Sequence, residues 1–472
     1  MPTDFDAIII GAGQAGPALA ARLAGAGQRV AVIERRHVGG SCINFGCTPT
    51  KAMVASARAA WMVRHAAEFG VHVHGEMLVD MAAVNARTAA IVRQARKGVL
   101  QWLESTDGIS LIEGHARFVA ARTVQVDGRE YTAERVFIDT GSRPVVPGIT
   151  GLDQVDFLTS SQMAGLERLP EHLLVLGGGA IGVEFAQMFR RFGSRVTLIE
   201  RHARLLEHED SDVSAAMQQM LEDEGITVLV AAEATEVGPR DGGILVRLDQ
   251  GASGRQEIAG SDLLLALGRR PNSDDLGLDA AGIETDGQGH IRVDDHLHTS
   301  VEGVWAMGDV AGTGGFTHTA YADHEIVVDS LFGNGGRSLS QRIPAYAVYT
   351  DPPLGRAGLT EAQLRGSGRN VMLATMSMED VARARERGET RGLIKLLVDG
   401  DNDHLLGGAV LGIGGDEVVQ GVLHLMHADA PYQVLRDSMG IHPTVSELLP
   451  SLLQRLEPLP ARAERAEPGE HA

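Results

Sequence analysis

Cys42 and Cys47 are the two cysteines of a 472-residue chain, and both stand in GGSCINFGCTPTK, residues 39–51. Two thiols kept together in this way can form and break a disulfide, carrying two electrons each time. Two buried cysteines can equally serve as small apolar side chains. Their neighbourhood separates the two readings, because a nucleotide-binding pattern lies directly upstream and puts an electron carrier next to the thiols. Lys51, in the same segment, is one of three lysines, with Lys97 and Lys395. A second cluster lies near the C-terminus in IHPTVSE, residues 441–447. There His442 and Glu447 could act as an acid–base dyad, the carboxylate orienting the imidazole. The same residues allow a plainer reading, in which Thr444 and Glu447 form a capping box that opens the last helix. His424 and His427 lie three apart on one helical stretch with no third ligand near in sequence, so no metal site is expected there.

The elements that must position these groups are legible as one pattern written twice. AIIIGAGQAGPALAARLAGAGQRVAVIE occupies residues 7–34, and LLVLGGGAIGVEFAQMFRRFGSRVTLIE occupies residues 173–200. Each has an apolar run, a glycine cluster, a helical stretch and a second apolar run ending in Glu. This is strand, turn, helix, strand, with the G-x-G-x-x-G fingerprint and an acidic residue about 20 positions on. Gly11 and Gly177 allow the tight turn. Gly13 and Gly179 let the backbone approach a pyrophosphate, and Gly16 and Gly182 let the helix pack on the strand. The positive end of each helix then faces the phosphates. Glu34 and Glu200 are placed to accept hydrogen bonds from a ribose. Two such units predict two bound dinucleotides, or a recent duplication in which one copy no longer binds.

Bulk composition narrows the class. The hydrophobic fraction is 44% and the charged fraction 22%, as in globular proteins, and the length predicts about three domains. The net charge of −20 and the lack of a basic stripe argue against a nucleic-acid partner. No apolar stretch reaches membrane-spanning length. The N-terminus is acidic and runs straight into an apolar strand, so no signal peptide is expected and a cytoplasmic location is. In that compartment a disulfide is more often catalytic or redox-sensing than structural. Residues 52–69 and 81–104 show helical spacing of apolar residues. Strands are expected in 109–140, 225–267 and 343–412, and helices in 415–428 and 445–456. The last residues, 461–472, read as a flexible tail.

Taken together, these motifs resemble the class I pyridine nucleotide-disulfide oxidoreductases, the family of lipoamide dehydrogenase, glutathione reductase and mercuric reductase. GGSCINFGCTPTK resembles the family's redox-disulfide segment. DTGSRPVVPG (139–148) and ALGRRPN (266–272) resemble its crossing segments, and VWAMGDVAG (304–312) resembles its second flavin motif. The resemblance implies an α/β fold with two Rossmann-like dinucleotide-binding domains, one for FAD and one for NAD, plus an α+β C-terminal dimerisation domain. The expected boundaries are 1–150 and 273–340 for the FAD domain, 151–272 for the NAD domain and 341–460 for dimerisation.

The resemblance also implies roles. Cys47 would face the flavin and Cys42 would attack the substrate. Lys51, paired with Glu184, would sit beside the flavin. Gly11, Gly13, Gly16, Glu34, Gly141 and Asp309 would hold FAD. Gly177, Gly179, Gly182, Glu200 and Gly268 would hold the nicotinamide dinucleotide, with NADH expected from Glu200 and NADPH left possible. His442 and Glu447 would complete the site of the other subunit in a homodimer. The acceptor stays open: a small thiol or disulfide compound, dihydrolipoamide, or a metal ion. The C-terminal cysteine pair of usual mercuric reductases is absent, CTPTK differs from the CIPSK of lipoamide dehydrogenases, and Ala21 stands where glutathione reductases place an arginine. A flavoprotein redox sensor remains the non-enzymatic reading.

Overall fold

A computed structural model describes residues 4–251 and 254–460; the tail expected at 461–472 lies outside the described residues. The described residues divide into two compact units, one of residues 4–205 with 221–342, the other of residues 206–220 with 343–460.

The first unit opens with β1 (Phe5–Ile10), α1 (Gly16–Gly25), β2 (Val30–Glu34), α2 (Gly40–Asn44), α3 (Cys47–His65), α4 (Met81–Ser105), β3 (Ile109–Glu113), β4 (Arg117–Ala120), β5 (Thr123–Val126) and β6 (Arg129–Ile138). β1, β2, β3 and β6 join a short strand, Val304–Ala306, in a parallel sheet ordered β3-β2-β1-β6-(304–306), while β4 and β5 extend β6 as an antiparallel meander. β1 is apolar on both faces because both faces are covered. Ala7 and Ile9 pack with Leu19 and Leu23 of α1, whereas Ile8 and Ile10 pack with Phe118, Val124 and Tyr131 of the meander. Truncating one of these core Leu or Ile residues to Ala would cost about 2–5 kcal/mol.

The same unit holds a second sheet of the same design. Strands Thr227–Leu229, Arg195–Ile199, His172–Leu176, Asp262–Leu265 and Leu158–Thr159 lie parallel in that order. Helix Ala180–Phe192 connects His172–Leu176 to Arg195–Ile199, as α1 connects β1 to β2. In the first sheet the outermost strand arrives late in the chain, whereas in the second its counterpart, Leu158–Thr159, arrives before the glycine loop. The repeated sequence pattern is thus a repeated topology.

The two predicted helical stretches form as α3, with a 3-10 turn at Ala66–Phe69, and as α4. Gly70, with φ 74°, ends the first. Asp80 caps the second, accepting the Ala83 N–H at 3.0 Å.

In the second unit, six antiparallel strands are ordered 345–348, 354–358, 405–411, 393–399, 371–377 and 457–458. Val418, Val419 and Val422 of helix Gly415–His427 bury against Ile394, Leu396 and Val410 of this sheet. Two cations are buried here. Arg356 bonds both Glu209 and Asp210, and Lys395, whose side chain is 1% exposed, bonds Asp212 and Glu361. Tyr346 donates its hydroxyl to Glu209 as well. Asp210, Asp212 and Glu361 converge closely enough to hold a cation, and the Lys395 ammonium supplies it. These ion pairs fasten residues 206–220 to the sheet within this unit. Arg356→Ala leaves Glu209 and Asp210 buried without their guanidinium and should lower stability by about 3–5 kcal/mol. An earlier urea-unfolding transition of the full chain reads this, and an unchanged midpoint would contradict it.

Candidate active site

The chain leaves helical geometry between the two thiols. Cys42 lies in the five-residue α2, and Cys47 is the first residue of α3. The break is at Phe45 and Gly46, Gly46 taking φ −113° and ψ −115°. Pro49 sits inside the first turn of α3, where its missing N–H leaves no hydrogen bond unmade. Both cysteines are free thiols.

Cys47 shares a hydrogen bond with Cys42 and approaches the Thr317 hydroxyl at 3.2 Å. Thr317 is the first residue of helix Thr317–Phe332, so Cys47 also lies at a helix N-terminus. The hydrogen bond from Cys42, then that of Thr317 and the positive charge of Lys51, outweigh burial and hold Cys47 down at about 6. Cys42 moves the opposite way, because giving its proton to the Cys47 sulfur and being buried both raise it. The two titrate as a pair, in which the first proton leaves from Cys47. Cys47 is solvent-exposed even so, and protein crowds most of its surroundings.

Lys51, four residues on along α3, bonds both carboxylate oxygens of Glu184 at 2.9 and 3.1 Å. Glu184 is buried in helix Ala180–Phe192. One ion pair therefore joins the thiol-bearing helix to the helix that follows the second glycine loop.

The two loops are held alike. Glu34 accepts the N–H groups of Ala12 at 2.9 Å and Arg36 at 2.8 Å. Glu200 accepts those of Gly178 at 2.6 Å and His202 at 2.7 Å, and the His202 ring approaches the same carboxylate at 2.7 Å. Gly13 and Gly40 are in close contact: a Cβ on Gly40 would lie 2.9 Å from the Gly13 Cα, which brings the thiol segment onto the first loop. Asp309 accepts the Ser142 hydroxyl, with Arg269 3.8 Å away. Gly141 and Gly268 have φ 66° and 98° and open space where a Cβ would stand.

His442 and Glu447 belong to the second unit. Glu447 accepts a bond at His442 Nδ1 at 2.9 Å, and its own N–H donates to Thr444 Oγ1 at 3.2 Å. The Thr444 half of the capping box forms, while the Glu447 side chain turns to the histidine. The His442 side chain is 73% exposed, and Met439 and Ile441 beside it are exposed too.

Sequence reading missed Thr317, Ser142 and Arg269. Ser142 and Arg269 stand inside DTGSRPVVPG and ALGRRPN, each next to a glycine that was singled out, whereas Thr317 lies outside the recognised motifs; none has a spacing rule that marks it.

The family description "Pyridine nucleotide-disulphide oxidoreductase" matches residues 5–323, and that family's dimerisation domain matches residues 344–452. The chain belongs to this family. It is similar to the probable pyridine nucleotide-disulfide oxidoreductase RclA of Escherichia coli K12, at 36% identity over 95% of this chain and 98% of that one. A mercuric reductase of Streptomyces lividans is 36% identical over 95% of each chain, and a dihydrolipoyl dehydrogenase of Thermus scotoductus is 34% identical over 94% of this chain and 95% of that one. The solved structure of the HOCl-induced flavoprotein disulfide reductase RclA from E. coli, as a Cu(II) complex, superposes with a TM-score of 0.87, covering 95% of this chain and 99% of that one at 36% identity. The protein is therefore an FAD-dependent NAD(P)H disulfide oxidoreductase with two Rossmann-like domains and a dimerisation domain. No helix among the described residues is long and apolar enough to cross a membrane.

The residues present fit both cofactors. The first turn of α1 carries no acidic side chain of its own and its N-cap Ala15 makes no side-chain bond, which leaves the positive end of the helix open to phosphate apart from the Gly16 N–H held by Asp139. Around Gly179 nothing lies within 4 Å of a would-be Cβ, so the second loop has room for a close backbone approach.

Thr317→Val removes a hydrogen bond to a charged sulfur, worth about 1.5–3 kcal/mol, and should raise the Cys47 titration by about one to two pH units. The pH dependence of long-wavelength absorbance in the two-electron-reduced enzyme measures this, and an unmoved titration would remove Thr317 from the account.

Proposed function

We propose that the enzyme uses NADH to reduce a small disulfide through Cys42 and Cys47. The observation that supports this most is the setting of the two thiols, with the Cys47 sulfur 3.2 Å from the Thr317 hydroxyl and the Lys51–Glu184 ion pair one turn further along the same helix. Bound FAD would take a hydride from the nicotinamide and pass two electrons on. The Cys42–Cys47 disulfide, taking two electrons and one proton, becomes the Cys47 thiolate and the Cys42 thiol. Cys42 must then lose its proton to attack. The His442–Glu447 dyad is suited to take it, the carboxylate holding the imidazole by Nδ1 and leaving Nε2 to act. With that proton gone, Cys42 attacks the substrate disulfide, and the first substrate thiolate leaves and is protonated by the imidazolium. Cys47 then displaces the second substrate thiolate, which takes a proton from solvent, and the Cys42–Cys47 bond is restored.

The exposure of His442, Met439 and Ile441 supports a site that a second subunit completes, so the partner subunit's His442 is the base we assign. Glu200 supports NADH, because a carboxylate at the ribose position repels a 2′-phosphate. The main competing acceptor is a metal ion, favoured by the relatives named mercuric reductase and by the copper complex of RclA.

Anaerobic titration with NADH should produce long-wavelength absorbance after one equivalent per FAD, from a thiolate against the oxidised flavin. Direct bleaching without that band would take the cysteines out of the electron path. His442→Gln should lower disulfide turnover by about 10²–10⁴-fold while leaving flavin reduction by NADH intact. Turnover with Cu(II) or Hg(II) that survives this variant, alongside weak disulfide turnover in the wild type, would favour the metal reading. Wild-type kcat/KM should favour NADH over NADPH by about tenfold or more, equivalent to about 1.4 kcal/mol. Glu200→Ser should narrow that ratio, and an unchanged ratio would place the selectivity elsewhere.

A further inference from the structure

The two glycine loops differ at one buried position. After the fourth strand of each sheet the chain passes beneath its loop, as Asp139-Thr140-Gly141 in the first and Ala266-Leu267-Gly268 in the second. A Cβ on Gly11 would strike the Asp139 carbonyl, and one on Gly177 would strike the Ala266 carbonyl, so Asp139 and Ala266 are equivalent. The second loop therefore has a methyl group where the first has a carboxyl.

Asp139 is 6% exposed, and its Oδ2 accepts the Gly16 N–H at 2.8 Å. A Cβ on Gly13 would lie 2.9 Å from Oδ2, and one on Gly308 would lie 3.4 Å from Oδ1. The carboxyl thus stands between the first glycine loop and the second flavin motif. Three acidic groups face it: Asp309 in the turn Gly308–Ala311, Asp323 in helix Thr317–Phe332, and Glu34 at the end of β2. The nearby arginines are turned to other carboxylates, Arg342 to Asp323 and Arg269 to Asp309. Burial first, then these three carboxylates, push Asp139 well above the usual range against the opposing pull of the Gly16 N–H.

The start of α1 is also short of donors. Pro17 has no N–H, and the Gly16 N–H is taken by Asp139. At the second loop the corresponding residues are Val183 and Ala266, and neither removes a donor in this way. An ionised Asp139 would weaken the anion-binding end of α1, whereas a protonated one would give a donor back.

We propose that Asp139 is held as a neutral acid in the FAD site, donates its proton toward the FAD pyrophosphate, and so makes FAD retention depend on proton uptake. This rests on the assignment of the first loop to FAD. The sign follows from charge. A bound pyrophosphate disfavours the carboxylate further, so the Asp139 pKa is higher with FAD bound than without it. FAD is then held most tightly below the FAD-free value, and its hold weakens as pH rises toward the FAD-bound value, by up to about tenfold per pH unit for one proton.

The test dilutes the holoenzyme at pH values from about 6 to 9 and follows FAD release by flavin fluorescence, in wild type, Asp139→Asn and Glu34→Ala. Wild-type retention should fall with rising pH, while the isosteric Asp139→Asn, which keeps a donor and cannot ionise, should hold FAD with no such slope. Equal slopes in the two proteins, or a flat wild type, would overturn the proposal. Glu34→Ala should release FAD readily at every pH. If it does not, the first loop is not the FAD loop and the proposal falls with that assignment, whereas release from Glu34→Ala with equal slopes in the other two proteins defeats the proton role alone. An infrared difference spectrum of wild-type holoenzyme against Asp139→Asn near neutral pH should show a protonated-carboxyl stretch, and a carboxylate band in its place would also overturn the proposal.

Discussion

Contacts that favour a thiolate at Cys47 over Cys42 govern the arrangement around residues 39–51. Cys47 is the stronger acid because two hydrogen-bonding groups, the Cys42 thiol and the Thr317 hydroxyl, and the positive charge of Lys51 favour its thiolate. Each comes from a different part of the first unit. Cys42 is carried by α2, Lys51 by α3, and Thr317 by a helix some 270 residues further along the chain. Much of what the fold does around residues 39–51 is to bring these groups into the surroundings of one sulfur. The Gly13–Gly40 contact sets the thiol segment against the first glycine loop, and the Lys51–Glu184 pair ties it to the second Rossmann-like domain. In return Cys42 is left a poor acid, and the proposed thiol exchange therefore calls on a base outside the pair.

Much of this was legible in the sequence, for identifiable reasons. The glycine loops announce themselves because close backbone approach admits only glycine, and the matched spacing to Glu34 and Glu200 follows from the fixed length of a strand–helix–strand unit. The shared strand order of the two sheets is the structural counterpart of that repeat. The thiol pair was legible because every other cysteine is missing. The family's motifs supplied the pairing of Lys51 with Glu184, which no local pattern would have given.

What stayed hidden depends on tertiary contact. Thr317 sits between recognised segments and matters only because helix Thr317–Phe332 begins at the Cys47 sulfur. Asp139 reads as one polar residue after an apolar strand, and its environment emerges only when Gly16 and Gly308 are brought to it. Lys395 looks like a break in the apolar run LIKLLVD. It is in fact fully buried, because Asp212 and Glu361, remote in sequence, neutralise it. Capping-box logic at Thr444 and Glu447 was half right for the same kind of reason: the backbone bond forms locally, but the carboxylate turns to His442.

The placement of the two sulfurs on separate helices has a mechanical consequence. Phe45 and Gly46 form a joint between α2 and α3, so a covalent link can open and close across that joint while the hydrogen-bond ladder of the 19-residue α3 stays whole. A bond that staples a fold resists unfolding, and its loss is felt everywhere. Here the bond spans only a five-position step and closes a very small loop, so its effect on the unfolded chain's entropy, about 2 kcal/mol, is at the low end for a disulfide. The architecture is thereby insulated from its own chemistry: the molecule can change oxidation state at every turnover without being remodelled by it.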